Sequence, residues 1–387
     1  MTIVSCSGKF HAFALAEQLH KYNELHTLYT MYAYAKNTFF RKIARRVDNE
    51  VIPTHLIKTN IPLAILTKAI ANDYKWNNEY DKWVAKNLKK NTNYDTFIGW
   101  SCMSLHCIRV ANAAGKISIV ERGSTHILFQ NQILTNEFAK YGIKFSIDNR
   151  VIEKEMKEYE EANYISVPSN FVKNTFIENG VKESKIFLNA YGTSSYFKKD
   201  TALLETKKKF RILYLGSLTI RKGLIYLFEA IKNLNINTND YEIWFIGQVA
   251  DELKPTIEKY KSANWVFHGL INHYELPKYI SVCDVAIHPS IEEGLSMVIA
   301  QIMSCGVPVV ATTNTGGADI IEDGKNGFIV PIQTPNAIRE RIEYLYNNKT
   351  ILQEMKNATQ IFKDLSWDAY GARYINFIKN IAKPQLG

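Results

Sequence analysis

Short apolar, β-branched runs alternate along this chain with segments whose apolar residues recur at helical spacing. The runs predict strands at 2–6, 96–100, 116–120, 164–167 and 185–189, then at 210–215, 241–246, 265–268, 285–288 and 307–313. The intervening periodicity predicts helices at 10–22, 104–114, 130–141, 224–234, 276–283 and 297–304, followed by helices at 335–347, 351–365 and from Trp367 to about residue 380. Strand and helix alternate twice over, which is the pattern of two parallel sheets with crossover helices. The second run is organised around 290–317, SIEEGLSMVIAQIMSCGVPVVATTNTGG. An acidic turn, Glu292-Glu293-Gly294-Leu295-Ser296, leads into an apolar helix. Gly306 and Pro308 stop that helix, and a buried strand follows. In such a β-α-β unit the strand-to-helix loop is where backbone N–H groups meet a ligand.

The chain has 387 residues, more than one core usually serves. We expect an α/β protein of two doubly wound domains facing across a cleft. The N-terminal domain is placed at 1–192 and the second at 193–366, with a polar, aperiodic stretch at 190–209 as the linker. The formal charge of +9 lies mostly in the N-terminal half, which points to an anionic partner there. The segment FFRKIARRV at 39–47 puts Phe39, Phe40, Ile43, Ala44 and Val47 on one helical face, with Arg41, Lys42, Arg45 and Arg46 opposite. It reads as a helix lying on an anionic membrane surface, or as a core helix with a solvated basic back. The apolar stretch at 61–70 reads as a second interfacial element or as core. A nucleic-acid role is excluded, because the basic residues cluster without a recognised motif or an array of stacking aromatics. Five cysteines without metal-ligand spacing suit a reducing compartment. There is no apolar run of membrane-spanning length and no basic segment leading into an apolar core at the start. The expectation is therefore a cytoplasmic protein, peripheral at the inner face of the cell membrane.

Candidate chemistry falls on strand ends. Gly8 and Lys9 follow the first strand, as a ligand loop or a plain turn. Glu121-Arg122-Gly123-Ser124-Thr125-His126 ends another: Arg122 suits a carboxylate or phosphate, and His126 suits a sugar hydroxyl or, equally, a backbone partner. The loop Gly216-Ser217-Leu218-Thr219-Ile220-Arg221-Lys222-Gly223 joins a strand to a helix. It reads as a phosphate cradle or an exposed basic turn, and it lacks the Gly-Lys-Ser/Thr ending of a Walker A loop. The charged helix at 151–163 reads as a solvated face without function.

With these motifs in view, the chain resembles the family 4 retaining glycosyltransferases of the GT-B fold. The likeness is carried by VPSNFVKNTF, the Gly-x5-Lys-Gly loop, HPSIEEGLSMVIAQIMSCGVPVVATTNTGGADII and DGKNGFIVP, between about residues 165 and 331. It implies a C-terminal helix, 367–387, that crosses back to the N-terminal domain. It also implies roles. Glu293 falls where relatives contact the transferred sugar near the reaction centre. Gln301 stands where they carry a ribose-gripping glutamate. The backbone of Gly294, Leu295 and Ser296 meets the donor phosphates or sugar. In the loop opened by Gly216, Ser217 replaces an arginine, Lys222 is kept, and Arg221 supplies the missing charge. Gly317 and Asp319 match a diglycine followed by an acidic residue. Arg122 takes the place of a sugar-facing histidine unless His126 reaches that point. Gly8, with Lys9, falls on the loop that faces acceptor and phosphates.

The implied reaction moves a hexose from a UDP- or GDP-linked sugar onto a glycan or lipid-linked glycan of a cell-surface polysaccharide. It proceeds with retention and without a required metal or other cofactor. The competing readings are a non-catalytic nucleotide-sugar-binding partner, suggested by Ser217 and Gln301, and a GT-B sugar-nucleotide epimerase.

Overall fold

Strands covered on both faces read as unbroken apolar runs, and here they assemble into two all-parallel sheets. The computed structural model describes residues 1–8, 10–31, 51–69, 73–203, 209–359 and 365–381. In the first sheet, β1 (Thr2–Cys6) leads into α1 (Ala12–Lys21) and β2 (Leu25–Thr30). Next come β3 (Ile57–Thr59), α2 (Ile61–Ala69), α3 (Asp73–Leu88), β4 (Thr96–Trp100), α4 (Leu105–Ala113) and β5 (Ile117–Glu121). Helices α5 (Ile127–Ala139) and α6 (Asn149–Glu161) precede β6 (Tyr164–Val167), α7 (Asn170–Glu178) and β7 (Ile186–Leu188). The order is β3-β2-β1-β4-β5-β6-β7.

The second sheet takes β8 (Phe210–Leu215), α8 (Leu224–Lys232), β9 (Tyr241–Ile246), α9 (Lys254–Tyr260), β10 (Trp265–Gly269) and α10 (Leu276–Ser281). It continues with β11 (Val285–His288), α11 (Met297–Ser304), β12 (Val309–Thr312), β13 (Gly327–Val330), α12 (Pro335–Asn347) and α13 (Lys349–Ala358), in the order β10-β9-β8-β11-β12-β13. Both sheets reverse direction of growth beside their first strand, and ligands gather at such switch points.

Helix α14 (Trp367–Ile381) returns to the first sheet. Gly371 lets it close on Gln18 of α1, because a Cβ there would lie 2.5 Å from the Gln18 side chain. Asp368 accepts from Gln18 at 2.9 Å, and Phe377 stacks on Phe187 of β7 with centroids 3.9 Å apart. The chain's two passages between the sheets run side by side: Thr193 bridges to Ser366, and its N–H donates to Leu365 at 2.7 Å. No helix among the described residues is long and apolar enough to cross a membrane.

Some elements differ from the sequence expectation. β2 has no clean apolar run, because LHTLYT buries Thr27 and Thr30 alongside Leu28 and Tyr29. Helix α5 starts at Ile127, three residues early, with His126 as its N-cap residue. The charged helix α6 is not a solvated face: it buries Lys154, Glu155, Glu158 and Tyr159. Lys154 pairs with Asp81 at 2.8 Å, and the Glu158 carboxylate accepts the N–H groups of Cys102 and Ser104 at 2.6 and 2.7 Å. Alternating signs along a helix serve an ion-paired core as well as a wet surface. The segment 39–47 lies outside the described residues, so Phe39, Phe40, Arg41, Lys42, Arg45 and Arg46 receive no structural account, and neither does Lys9.

Candidate active site

β11 ends at His288, and the chain turns through 289–296 before α11 begins. Glu293 sits in that turn, with its N–H on the Asn314 carbonyl at 3.0 Å. Its carboxylate accepts from Lys222 Nζ and, at 3.1 Å, from Ser290 Oγ, and lies 3.6 Å from Arg221 Nη1. Burial by itself raises a carboxyl pKa, but Lys222 and then Arg221 outweigh it and hold Glu293 at about 2. Glu293 is therefore ionised throughout the physiological range. It can accept hydrogen bonds and face positive charge, but it has no proton to give as a general acid. Behind it His288 is pushed down to about 3, by burial first and by Lys222 second, and stays neutral.

Lys222 reaches Glu293 because the β8–α8 loop is pressed against the β11–α11 turn. Gly223 caps α8 with φ +68°, and a Cβ there would stand 2.0 Å from the Pro289 carbonyl. No side chain fits that gap in that conformation.

The neighbouring carboxylate, Glu292, is fully buried and joins the two sheets. Its Oε1 accepts from Ser124 Oγ at 2.5 Å, Thr125 Oγ1 at 2.8 Å and Thr125 N at 3.1 Å. Its Oε2 accepts from Gln130 Nε2 at 3.2 Å and Arg221 Nη1 at 3.3 Å. Beside it the backbones nearly touch: a Cβ on Gly294 would lie 2.1 Å from the Gly123 carbonyl. Ser169 Oγ donates to the Gly294 carbonyl at 2.7 Å, and the Asp319 carboxylate accepts the Asn170 N–H at 2.7 Å.

A cavity of about 600 Å³ opens next to these contacts. The second sheet contributes Lys222, Glu293, Leu295, Ser296 and Gln301 to its wall, and the first contributes His11, Trp100, Arg122 and Tyr191 among others. Every one of the sheet loops involved follows the C-terminal end of a parallel strand. A fixed anion beside two partly buried cations, at the wall of a cleft, can stabilise a pair of opposite charges that develop together.

Residues 196–362 match the family model described as glycosyl transferases group 1. The chain is 24% identical over 290 residues to an uncharacterized glycosyltransferase of Methanocaldococcus jannaschii, covering 74% of this chain and 75% of that one. It is 26% identical over 241 residues to the capsular polysaccharide biosynthesis glycosyltransferase CapM of Staphylococcus aureus, covering 56% and 62%. HepE of Anabaena, solved in complex with UDP, superposes with a TM-score of 0.70 at 14% identity, over 98% of this chain and 99% of that one. WaaG, a glycosyltransferase involved in lipopolysaccharide biosynthesis, superposes with a TM-score of 0.69, also at 14% identity, over 99% and 100%. Residues 196–362 thus carry a group 1 glycosyltransferase domain, and the fold of the chain is GT-B.

Within this glycosyltransferase the sequence candidates fare unequally. Glu293, Lys222, Leu295, Ser296 and Gln301 share one cavity wall, and Arg221 lies behind them on Glu292. Gly216 and Ser217 lie on the same loop as Lys222 but are not part of the cavity wall, and Gly8 is likewise set back behind Phe10. Arg122 does line the cavity, but its guanidinium is committed to Glu155 at 2.9 Å, the Thr125 carbonyl at 2.9 Å and Gln130 at 2.8 Å. The sequence expectation that it holds a carboxylate or phosphate ligand is corrected by those partners: its charge is already matched.

His126 is corrected as well. Its ring is buried away from the cleft, against Phe176 and Tyr159, and neither ring nitrogen has a hydrogen-bond partner. Burial, with Arg122 adding, lowers it to about 4. The sequence reading passed over His11, Glu121 and Glu292. The signals were a histidine on the first strand-to-helix turn and the second member of a Glu-Glu pair.

Two of the buried histidines, His126 and His288, set a pH dependence. Unfolded, each titrates near 6.5; folded, they stay neutral down to about 4 for His126 and about 3 for His288. Between those values the unfolded chain binds more protons, so stability falls as pH drops. Glu158 works the other way, because burial raises its carboxyl to about 8 and the folded chain there holds a proton that the unfolded chain has lost. The histidine contribution is therefore read as a difference: from pH 6.5 to pH 4.5, His126→Phe should lose less unfolding temperature than the wild type, and parallel curves contradict the assignment.

Proposed function

We propose that the enzyme transfers a hexose from a UDP- or GDP-linked sugar to a glycan or lipid-linked glycan, with retention, in the assembly of a cell-surface polysaccharide. The observation that carries this reading is the juxtaposition of Glu293 with Lys222 and Arg221 at the ends of β11 and β8. Breaking a glycosyl–phosphate bond leaves negative charge on a diphosphate and positive charge on the sugar ring. Lys222, Arg221 and the N–H groups of the β8–α8 loop and of 294–296 oppose the first. The permanently ionised Glu293 opposes the second. Gln301, at the cavity wall, offers a carbonyl oxygen to ribose hydroxyls without adding charge. The acceptor approaches from the face that the diphosphate leaves, and its proton departs with the diphosphate.

Relatives support the donor and product classes. HepE has been solved with UDP and with UDP-glucose, and CapM is a capsular polysaccharide enzyme. The acceptor side belongs to the first sheet, where the basic segment 39–47 would hold the enzyme to an anionic membrane surface.

The test is a panel of nucleotide sugars in EDTA, scored for slow donor hydrolysis and for thermal shift. One UDP- or GDP-hexose should be hydrolysed, since protein cations carry the charge. The same compound at a hundredfold excess over its Kd should add about 2.7 kcal/mol of stability. The shift identifies the base, and hydrolysis separates transfer chemistry from binding. A panel with neither response refutes the reading.

A further inference from the structure

We propose that His11 contacts the acceptor: its Nδ1 accepts a hydrogen bond from an acceptor hydroxyl, while Glu121, held by Tyr374, fixes the ring in the tautomer that makes this possible. The inference rests on the transferase reading above and deepens it on the acceptor side.

His11 ends the loop after β1 and is the N-cap residue of α1, yet its side chain makes no capping hydrogen bond. The ring lies in the wall of the same cavity as Glu293 and Lys222. It is gripped on both sides, with Tyr191 and Trp100 at centroid distances of 4.3 and 4.9 Å. Its Nε2 stands 3.1 Å from Glu121 Oε2. Glu121 is itself buried, and its other oxygen accepts from the Tyr374 hydroxyl of α14 at 2.7 Å. A carboxylate at Nε2 demands a proton there, so the neutral ring carries its lone pair on Nδ1. Nδ1 has no partner among the described residues.

A ring this firmly aimed, with an acceptor atom left over, is built to receive a donor. The surrounding wall says which kind. Arg122 and Glu155, the charged groups of the first sheet that reach this wall among the described residues, neutralise each other at 2.9 Å. Trp100 and Tyr191 supply flat apolar surface. Paired charges, aromatic faces and one hydrogen-bond acceptor suit a neutral sugar, with stacking on the ring and a hydroxyl donating to His11. They do not suit an anionic sugar. The contact orients the hydroxyl, and no covalent step passes through His11. The return of α14 thereby has a functional consequence, because its Tyr374 holds the carboxylate that sets the acceptor residue.

Two readouts test this. A long-range ¹H–¹⁵N spectrum of the histidine side chains, with His11 assigned by its loss in His11→Phe, should show the Nε2–H tautomer. In Glu121→Gln, whose amide can donate to Nε2, the proton should move to Nδ1. The second readout is steady-state transfer from the donor selected by hydrolysis, with octyl glucoside and octyl galactoside as acceptor probes. His11→Phe and Glu121→Gln should raise acceptor KM about 3- to 10-fold, the worth of one uncharged hydrogen bond, with donor KM unchanged. His11→Asn, which keeps an acceptor oxygen near the Nδ1 position, should recover most of that loss. An Nδ1–H tautomer in the wild type overturns the proposal, as does an unchanged acceptor KM in His11→Phe. Where neither probe accepts the sugar, the tautomer alone decides. That readout needs no turnover, so it stands apart from failure of the transferase reading.

Discussion

Replacing Glu293 with Gln should lower sugar transfer by about 10²- to 10³-fold, the usual consequence of removing one preorganised charge-stabilising group. The amide keeps the size of the side chain and can still accept from Lys222 and Ser290. What it loses is the charge. Folding should survive, because Arg221 keeps its second carboxylate, Glu292, at 3.3 Å. The nucleotide should still bind, since on the proposed reading its diphosphate meets Lys222 and backbone N–H groups rather than Glu293. A thermal shift with UDP or GDP that persists while turnover collapses is the expected signature. A second consequence concerns pH. With Glu293 ionised down to about 2, its own titration leaves no mark on activity between pH 5 and pH 8. Near-normal turnover in Glu293→Gln would remove this residue from the reaction centre.

Much of this architecture was legible because a parallel strand covered on both faces has to be apolar throughout. The strands at 210–215, 241–246 and 285–288 matched to the residue for that reason. Loops at the ends of such strands are where chemistry gathers, so the loops that carry Lys222 and Glu293 stood out locally, while the role expected of Glu293 came from the family resemblance. Partnerships across the fold were not legible. His11 meets Glu121 across 110 positions, and Glu121 meets Tyr374 across 253. Nothing local in any of the three marks the other two. Arg122 shows the converse error. A cation at a strand end looks free for a ligand until Glu155 comes into view, and Glu155 lay in a helix whose alternating charges read as solvated. Charge patterning along one helix reports its periodicity but not which face another element covers.

The same limit hid Glu292, whose replacement by Ala should be the most damaging to stability. One buried carboxylate accepts from Ser124, Thr125, Gln130 and Arg221, and so ties the β5–α5 segment of the first sheet to the β8 and β11 loops of the second. Truncation leaves Ser124 and Thr125 without this acceptor and takes one carboxylate from Arg221, while Gln130 keeps Ser124 Oγ and Arg221 keeps the residue-292 carbonyl. Breaking a buried pair in this way costs about 3–5 kcal/mol. The loss falls on the contact between the sheets, so Glu292→Ala should lower the unfolding temperature by several degrees and expose the inter-sheet passages near residues 193–203 to protease. Glu292→Gln should lie between, because its oxygen can still serve Ser124 and Thr125 while its NH₂ faces the donors of Gln130 and Arg221. The ordering separates the two adjacent glutamates. Glu292→Ala should unfold at a lower temperature than Glu293→Gln yet retain more turnover at low temperature, because on the proposed reading it bears on the reaction only through Arg221, which faces the diphosphate. If Glu292→Ala unfolds at the wild-type temperature, the carboxylate does not join the sheets. If it is instead the less active of the two while folded, the roles assigned to this pair must be exchanged.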